Sequence, residues 1–496
     1  MTAKLSRRTF LASAGACLGG LALPNSGYAA VANFLQQGSP AANGILLQAM
    51  TRTLEVNGKS AIVMGLLQPN GTQGIESVVN SPFRVVLLNK LTVPTAIHWH
   101  GLHPPNNEDG VPGVTQPIIR PDSSTSYDFP LVPAGTHWMH SHQGLQEAYL
   151  LAAPLIVHDK ADQSRDEQQI VVFLSDFSFT KPKEIFAQLR SQAGKSPMGD
   201  KGGSAMKMGA KGGSAMKMGA KPDINDVNYD AYLANDRTLN DPEVIKVEKS
   251  GRVRLRIING SSGTNFFIDL GKLNGELIAT DGMPVKTLQA SRFPLAIAQR
   301  IDVRVQLPAG GGAFPIMALR EGATEQTGII LASPGAPVAK MPEKASTPAG
   351  VLTLDQEKTF VALEPLAPRP IDKTYVLRLG GDMMKYNWMI NGVIFDVENP
   401  GSEKAQVLVK PGQRVALKFV NDTPMTHPMH LHGHSFQVID INGQPLAGAL
   451  RDTILVPGSS SVTVAFDANN PGLWYVHCHV LWHLAAGMAT LVQYQA

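Results

Sequence analysis

The chain has 496 residues, 43% of them hydrophobic, and a formal net charge of +3. That length suits about three domains, and the apolar content is enough for sizeable cores. The small charge, with no basic stretch interleaved with stacking aromatics, argues against nucleic-acid binding, and 47 glycines with 35 prolines favour many short strands joined by turns.

The chain opens with MTAKLSRRTFLASAGACLGGLALPNSGYAA. Arg7 and Arg8 form a charged region, Leu11 to Leu23 an apolar run too short to span a bilayer, and Ala29 and Ala30 a small-residue cleavage region. The SRRTFL stretch resembles a twin-arginine export signal. Residues 1–30 are therefore expected to direct a folded, cofactor-loaded protein to the periplasm or the extracellular space. A buried N-terminal helix is the alternative. A lipoprotein site at Cys17 is disfavoured, because Ala14 occupies the position where such sites prefer leucine. No later stretch reads as a membrane span. Removal of the signal leaves Cys478 alone, so no internal disulfide is expected. A buried, inert thiol is the bland reading, weakened by its two histidine neighbours.

Residues 45–160 alternate β-branched runs with turns (SPFRVVLLNKLTVPTAIHWHG, SSTSYDFPLVPAGTHWMHSH, APLIVHD). Residues 168–335 repeat the texture (QQIVVFLSDFSF, GRVRLRIINGSSGTNFFIDL), and residues 350–496 do so again (QRVALKFVND, SSVTVAFDANNPGLWYVHCHV). Short runs bounded by Gly, Pro, Asn or Asp predict strands. RVRLRIING and RVALKFVND read as one element in two domains. The fold class is all-β: three β-sandwich domains over 45–160, 168–335 and 350–496, with a single large barrel as the alternative. Within the second domain, after a helical-looking KEIFAQLRSQ, KGGSAMKMGA at 201–210 recurs unchanged at 211–220. It has no apolar period, so residues 198–221 are expected to form a loop insertion carrying Met198, Met206, Met208, Met216 and Met218.

Fourteen histidines are present, none between residues 159 and 426. They cluster as HWHG (His98, His100), HSH (His140, His142), HPMHLHGH (His427, His430, His432, His434) and HCHVLWH (His477, His479, His483). On a strand, residues i and i+2 share a face, so each His-x-His offers two imidazoles to one metal site, and facing pairs predict a multinuclear one. Two histidines, a cysteine and a distant methionine form the ligand set of a blue-copper site. Cys478, His483 and Met488 supply three of these, and His427 is the natural fourth. Zinc is the rival, but it favours more cysteines or an open His/carboxylate triad. Strand alternation turns Cys478 to one face and His477 and His479 to the other, so this stretch can join a mononuclear copper to a cluster.

These motifs, in this order, resemble the multicopper oxidases, the group of laccases, cuprous oxidases and bacterial copper-resistance oxidases. The resemblance covers nearly all of the mature chain. It implies three cupredoxin-like Greek-key sandwiches and four copper ions. It places a type 2 copper at His98 and His430, a type 3 pair at His100, His140, His142, His432, His477 and His479, and a type 1 copper at His427, Cys478 and His483 with Met488 axial. Asp109, in NNEDGVPG, matches the family's acidic residue near the cluster, expected to relay protons or tune bound water; a turn-forming role before Gly110 is the alternative. His103, His137, His158 and His434 are read as structural. Several bacterial relatives carry a glutamate just after the last type 1 histidine or one residue later, whereas Leu484 and Ala485 occupy those places.

The resemblance implies an oxidase with dioxygen as acceptor, reduced to water. The donor is read from the methionines, since thioether sulfur prefers Cu(I). Met425 and Met429 flank His427, and GDMMKYNWM adds Met383, Met384 and Met389. A monomeric cuprous oxidase with broader activity on phenols and a role in copper tolerance is expected. A laccase with an organic donor and a copper-sequestering protein are the alternatives.

Overall fold

Short β-branched runs fold as strands, and in the computed structural model these assemble into six sheets. The structure describes residues 44–162, 164–192, 224–382 and 385–495. The expected export signal, Met198, Met206, Met208, Met216 and Met218 of the insertion, and Met383 and Met384 lie outside the described residues.

The sheets pair around three cores. Two four-stranded sheets within residues 45–158 enclose Leu47, Phe83, Trp99, Met139 and Leu155. A six-stranded and a five-stranded sheet within residues 168–332 enclose Leu255, Ile268, Leu277 and Ile329. A seven-stranded and a five-stranded sheet within residues 373–494 enclose Leu417, Val438, Val464 and Val476. This is an all-β, three-sandwich architecture rather than one barrel.

One ladder recurs in all three. The first long strand pairs parallel with a strand that ends in asparagine: Ile45–Val56 with Pro82–Asn89, Gln168–Phe177 with Arg252–Asn259, and Lys373–Asp382 with Arg414–Asn421. The likeness of RVRLRIING to RVALKFVND is this shared position. Each closing asparagine is buried and turns the corner with its side chain. Its Nδ2 donates to the carbonyl of Val93 (2.9 Å), Thr264 (2.9 Å) or Met425 (2.7 Å), while its Oδ1 accepts the N–H two residues on. That carbonyl lies four residues past the asparagine in the first and third sandwiches and five past it in the second. Five residues further stand His98 and His430, on strands Ile97–His100 and His427–Leu431. The longer middle loop puts Asp269 at this place and turns Ile268 and Leu270 into the sandwich's own core, because a slip of one residue exchanges the faces of a strand.

The helical-looking segment is a helix, Pro182–Gln192, which lays Phe186 and Leu189 on the core of the third sandwich. No described helix is long and apolar enough to cross a membrane.

Candidate metal centre

The His-x-His pairs from the first and third sandwiches meet. Ligand atoms of His98, His100 and His430 lie within 4.8 Å of one another, as do those of His100, His140 and His479, and those of His142, His432 and His477. A fourth group, His427, Cys478 and His483, meets the same limit. The strand Leu473–Cys478 aims successive side chains to opposite faces. Cys478 thus enters one group while His477 and His479 enter two others. Met488 is fully buried and tied to the same group through its backbone: its N–H donates to the His483 carbonyl, and its carbonyl accepts from Cys478 N–H at 3.1 Å.

Hydrogen bonding fixes which nitrogen of each ring is free. A neutral imidazole has one donor and one acceptor nitrogen. Nδ1 of His98 donates to the Asp109 carbonyl (2.9 Å) and Nδ1 of His430 to the Asp452 carbonyl (2.8 Å), so the two Nε2 atoms, 3.4 Å apart, face each other as lone pairs. Nδ1 of His432 donates to Asp109 Oδ2 (2.8 Å) and Nδ1 of His477 to the Cys478 carbonyl (3.0 Å), which leaves their Nε2 lone pairs 3.0 Å apart. Nε2 of His483 lies 2.8 Å from Asp226 Oδ2, and Nε2 of His427 lies 2.9 Å from Thr423 Oγ1. Their Nδ1 atoms then face each other at 3.1 Å, each 3.6 Å from Cys478 Sγ. Nδ1 of His100 and Nε2 of His140 and His479 are buried without a hydrogen-bond partner. Opposed lone pairs and orphaned nitrogens are stable only around cations, so the residues present fit bound metal.

Electrostatics agree. Burial first, then mutual repulsion, holds His100, His140, His142, His427, His430, His432 and His479 well below the usual imidazole range. His477 is brought down to about 3, chiefly by burial. All are kept in the neutral, ligating form. Burial pushes the Cys478 thiol up, so a thiolate there needs a cation to neutralise it. A soft thiolate with imidazoles suits copper.

Asp109 is fully buried between His98 and His432. Gly110 (φ +93°) lets its turn close on the strand, since a Cβ there would overlap the Ile97 carbonyl. Three acids were not singled out from sequence. Glu147 sits 2.8 Å from His140 Nδ1, Asp226 faces His483, and Asp452 bonds His100 Nε2 at 3.0 Å. Asp226 also accepts from Tyr386 Oη at 2.7 Å, and the Trp388 ring packs 4.1 Å from that of His483. The remaining histidines have partners of their own: His103 with Ser435, His137 with the Pro133 carbonyl, His158 with Glu76, and His434 with Tyr494. A cavity of about 1120 Å³ reaches His142, and Tyr475, Leu484 and Ala485 are on its wall.

Three pairs of sheets, with buried histidines of the first and third brought into groups, define a cupredoxin-type metalloprotein. Residues 56–162, 169–333 and 368–496 match models of the multicopper oxidase family. The chain is 32% identical to multicopper oxidase MmcO of Mycobacterium tuberculosis over 430 residues, covering 85% of this chain and 81% of that protein. It is 27% identical to the copper resistance protein A homolog of Pseudomonas syringae pv. tomato over 502 residues (81% and 83%). The crystal structure of Fet3p, a multicopper oxidase that functions in iron import, superposes with a TM-score of 0.73 at 19% identity over 91% of this chain and 90% of that one. The chain belongs to the multicopper oxidase family: it is a copper oxidoreductase that uses dioxygen as acceptor.

Proposed function

We propose that the chain is an exported, monomeric four-copper oxidase whose donors are Cu(I) and, more broadly, phenols, acting in copper tolerance. In this reading His427, Cys478 and His483, with Met488 beside them, would hold a type 1 copper. His98 and His430 hold a type 2 copper, and His100, His140 and His479 share a type 3 pair with His142, His432 and His477. Bound copper would supply single-electron uptake from the donor and four electrons to dioxygen, forming water. Three consecutive residues, His477, Cys478 and His479, give a covalent path between the sites. Asp109 holds two cluster imidazoles and is a carboxylate placed to deliver protons. The cavity reaching His142 offers dioxygen and water a route.

The observation that carries the Cu(I) reading is where the described ends of the methionine-rich insertion fall. The helix before it sets Phe186 against Tyr386, ring centroids 6.3 Å apart, and Tyr386 binds Asp226. Asp226, soon after the insertion, meets His483. Phe186 before the thioether-rich segment and Asp226 after it thus lie beside the electron entrance. The names of the copper resistance relatives support the same reading.

The test is steady-state kinetics with Cu(I) and with a phenol, on the full chain and on one lacking residues 201–220. The insertion has no apolar period, so folding and copper content should survive its loss. Cu(I) oxidation should fall at low copper, while phenol oxidation holds or rises. Unchanged kinetics for both donors, with the phenol far the better substrate, would replace this reading with an organic-donor laccase. Export is tested by fractionating cells that carry Arg7→Lys and Arg8→Lys together; secretion as efficient as that of the parent chain would remove the twin-arginine assignment.

A further inference from the structure

The cluster has an approximate twofold symmetry that sequence motifs do not reveal. The His98 ring stacks on His432 with centroids 3.8 Å apart, and His430 stacks on His100 at the same 3.8 Å. Exchanging the two His-x-His pairs therefore maps one stack onto the other. The exchange extends to two acids. Asp109 accepts from His98 through its backbone carbonyl and from His432 through its carboxylate. Asp452 accepts from His430 through its backbone carbonyl and from His100 through its carboxylate. Each acid thus holds the first histidine of its own sandwich and the second histidine of the other.

The twins differ in what holds them. Arg300 comes from the second sandwich, on strand Arg300–Gln306, and is fully buried. Its Nη1 donates to Asp452 Oδ1 at 2.7 Å and its Nη2 to Oδ2 at 2.5 Å, a two-pronged grip. Arg300 Nε donates to the Thr136 carbonyl of the first sandwich. Gly101, the glycine of HWHG, makes room: a Cβ there would come within 2.5 Å of Arg300 Nη2 and 3.0 Å of Asp452 Oδ2. Asp109 is gripped by no arginine among its described partners. The ring that Asp452 holds is also the odd one. His100 is bonded through Nε2 and leaves Nδ1 free, whereas His98, His430, His432 and His477 are bonded through Nδ1.

We propose that Asp452, clamped by Arg300, is a positioning residue for the cluster: it fixes the His100 ring with Nδ1 toward the metal and makes the ligand-free second sandwich a working part of the centre. The inference rests on copper occupying the histidine groups and not on which donor is oxidised.

The test follows copper retention rather than turnover. Holoenzyme is titrated with a copper chelator, and the colour of the Cys478 centre and the electron paramagnetic resonance of the remaining copper are recorded. Asp452→Asn keeps the shape and an acceptor oxygen but loses the charge that Arg300 grips. Outer partners of metal-bound histidines change metal affinity roughly 10–100-fold. Cluster copper should therefore leave at a chelator concentration about that much lower, and the pair should give a resonance signal as it uncouples, while the Cys478 colour persists. Arg300→Lys keeps the buried cation but not the fork, and should shift retention in the same direction by less. A folded Asp452→Asn protein with parental retention and spectra overturns the proposal. If that variant fails to fold, Arg300→Lys decides by the same criterion. A crystal structure of the copper-loaded parent decides independently, since His100 bound through Nε2 refutes the assignment. A parent that binds no cluster copper would instead sink the copper reading itself.

Discussion

Asp226→Asn tests how the protein sets the electron entrance. The carboxylate is buried, accepts from Tyr386 at 2.7 Å, and lies 2.8 Å from His483 Nε2. Both contacts fall on Oδ2, so an amide oxygen can replace it and only the charge is lost. A negative charge on the far nitrogen makes the imidazole a better donor and favours Cu(II) over Cu(I). The 2.8 Å approach of His483 Nε2 is a charge contact without hydrogen-bond alignment, so the difference between a charged and a neutral hydrogen bond, about 1 kcal/mol, is its ceiling. A factor of ten corresponds to about 1.4 kcal/mol and, for one electron, to about 59 mV. If the whole difference is felt by the oxidised centre, the potential rises by ~40 mV, an upper bound because the reduced centre keeps part of the contact. The assay is a redox titration of the visible colour in parent and variant, with copper content matched. A fall in potential, or a shift indistinguishable from zero, would refute the view that Asp226 acts electronically on His483.

Cys478→Ser should abolish the visible colour and nearly all oxidase activity while the cluster copper remains, because its histidines are untouched; full colour in this variant would overturn the placement of copper at Cys478. Met488→Leu should keep the copper and raise its potential, since a weak thioether donor to Cu(II) is lost; a redox titration with no upward shift would remove Met488 from the ligand set. His158 is raised to about 9 from the ordinary 6.5 by the carboxylates of Asp162, 3.8 Å away, and Glu76, 3.3 Å away. Its folded value exceeds its unfolded one, so this contribution to stability is complete below pH 6.5 and fades as pH climbs through 9. Thermal melts across that window should fall less steeply for His158→Gln than for the parent; parallel curves would show that the ion pair contributes nothing.

The grouping of the histidines and Cys478 was largely legible because its signal is local. His-x-His spacing on strands and His-Cys-His near the end declare paired ligands within a few residues, and the recurring RVxLxxxN run marked equivalent strands. The acids that orient the rings were not legible. Asp452 meets His100 across 352 positions of sequence, and Glu147 and Asp226 are single acids in turns and loops with no periodic neighbour to mark them. Asp109 was found only through the family's motif. Arg300 was hidden for another reason: it lies in the histidine-free stretch, where an arginine on a strand looks like one more solvated charge, yet it is fully buried. The phase of the middle sandwich was also hidden. One extra residue in a corner loop changes no composition, but it reverses which side chains face the core.

That extra residue sets a rule for anyone building a metal site into the middle sandwich. Copying His-x-His by distance from the corner asparagine would put imidazoles at Ile268 and Leu270, which are 1% exposed in an apolar core. Such a graft would wreck the fold before it bound anything. The corner carbonyl, not the asparagine, is the origin to count from, and it points to Asp269 and Gly271. Gly271 has φ +60°, a conformation that disfavours a branched side chain. A successful graft would therefore take Asp269 as its first imidazole position and rebuild the turn at Gly271 to accept the second.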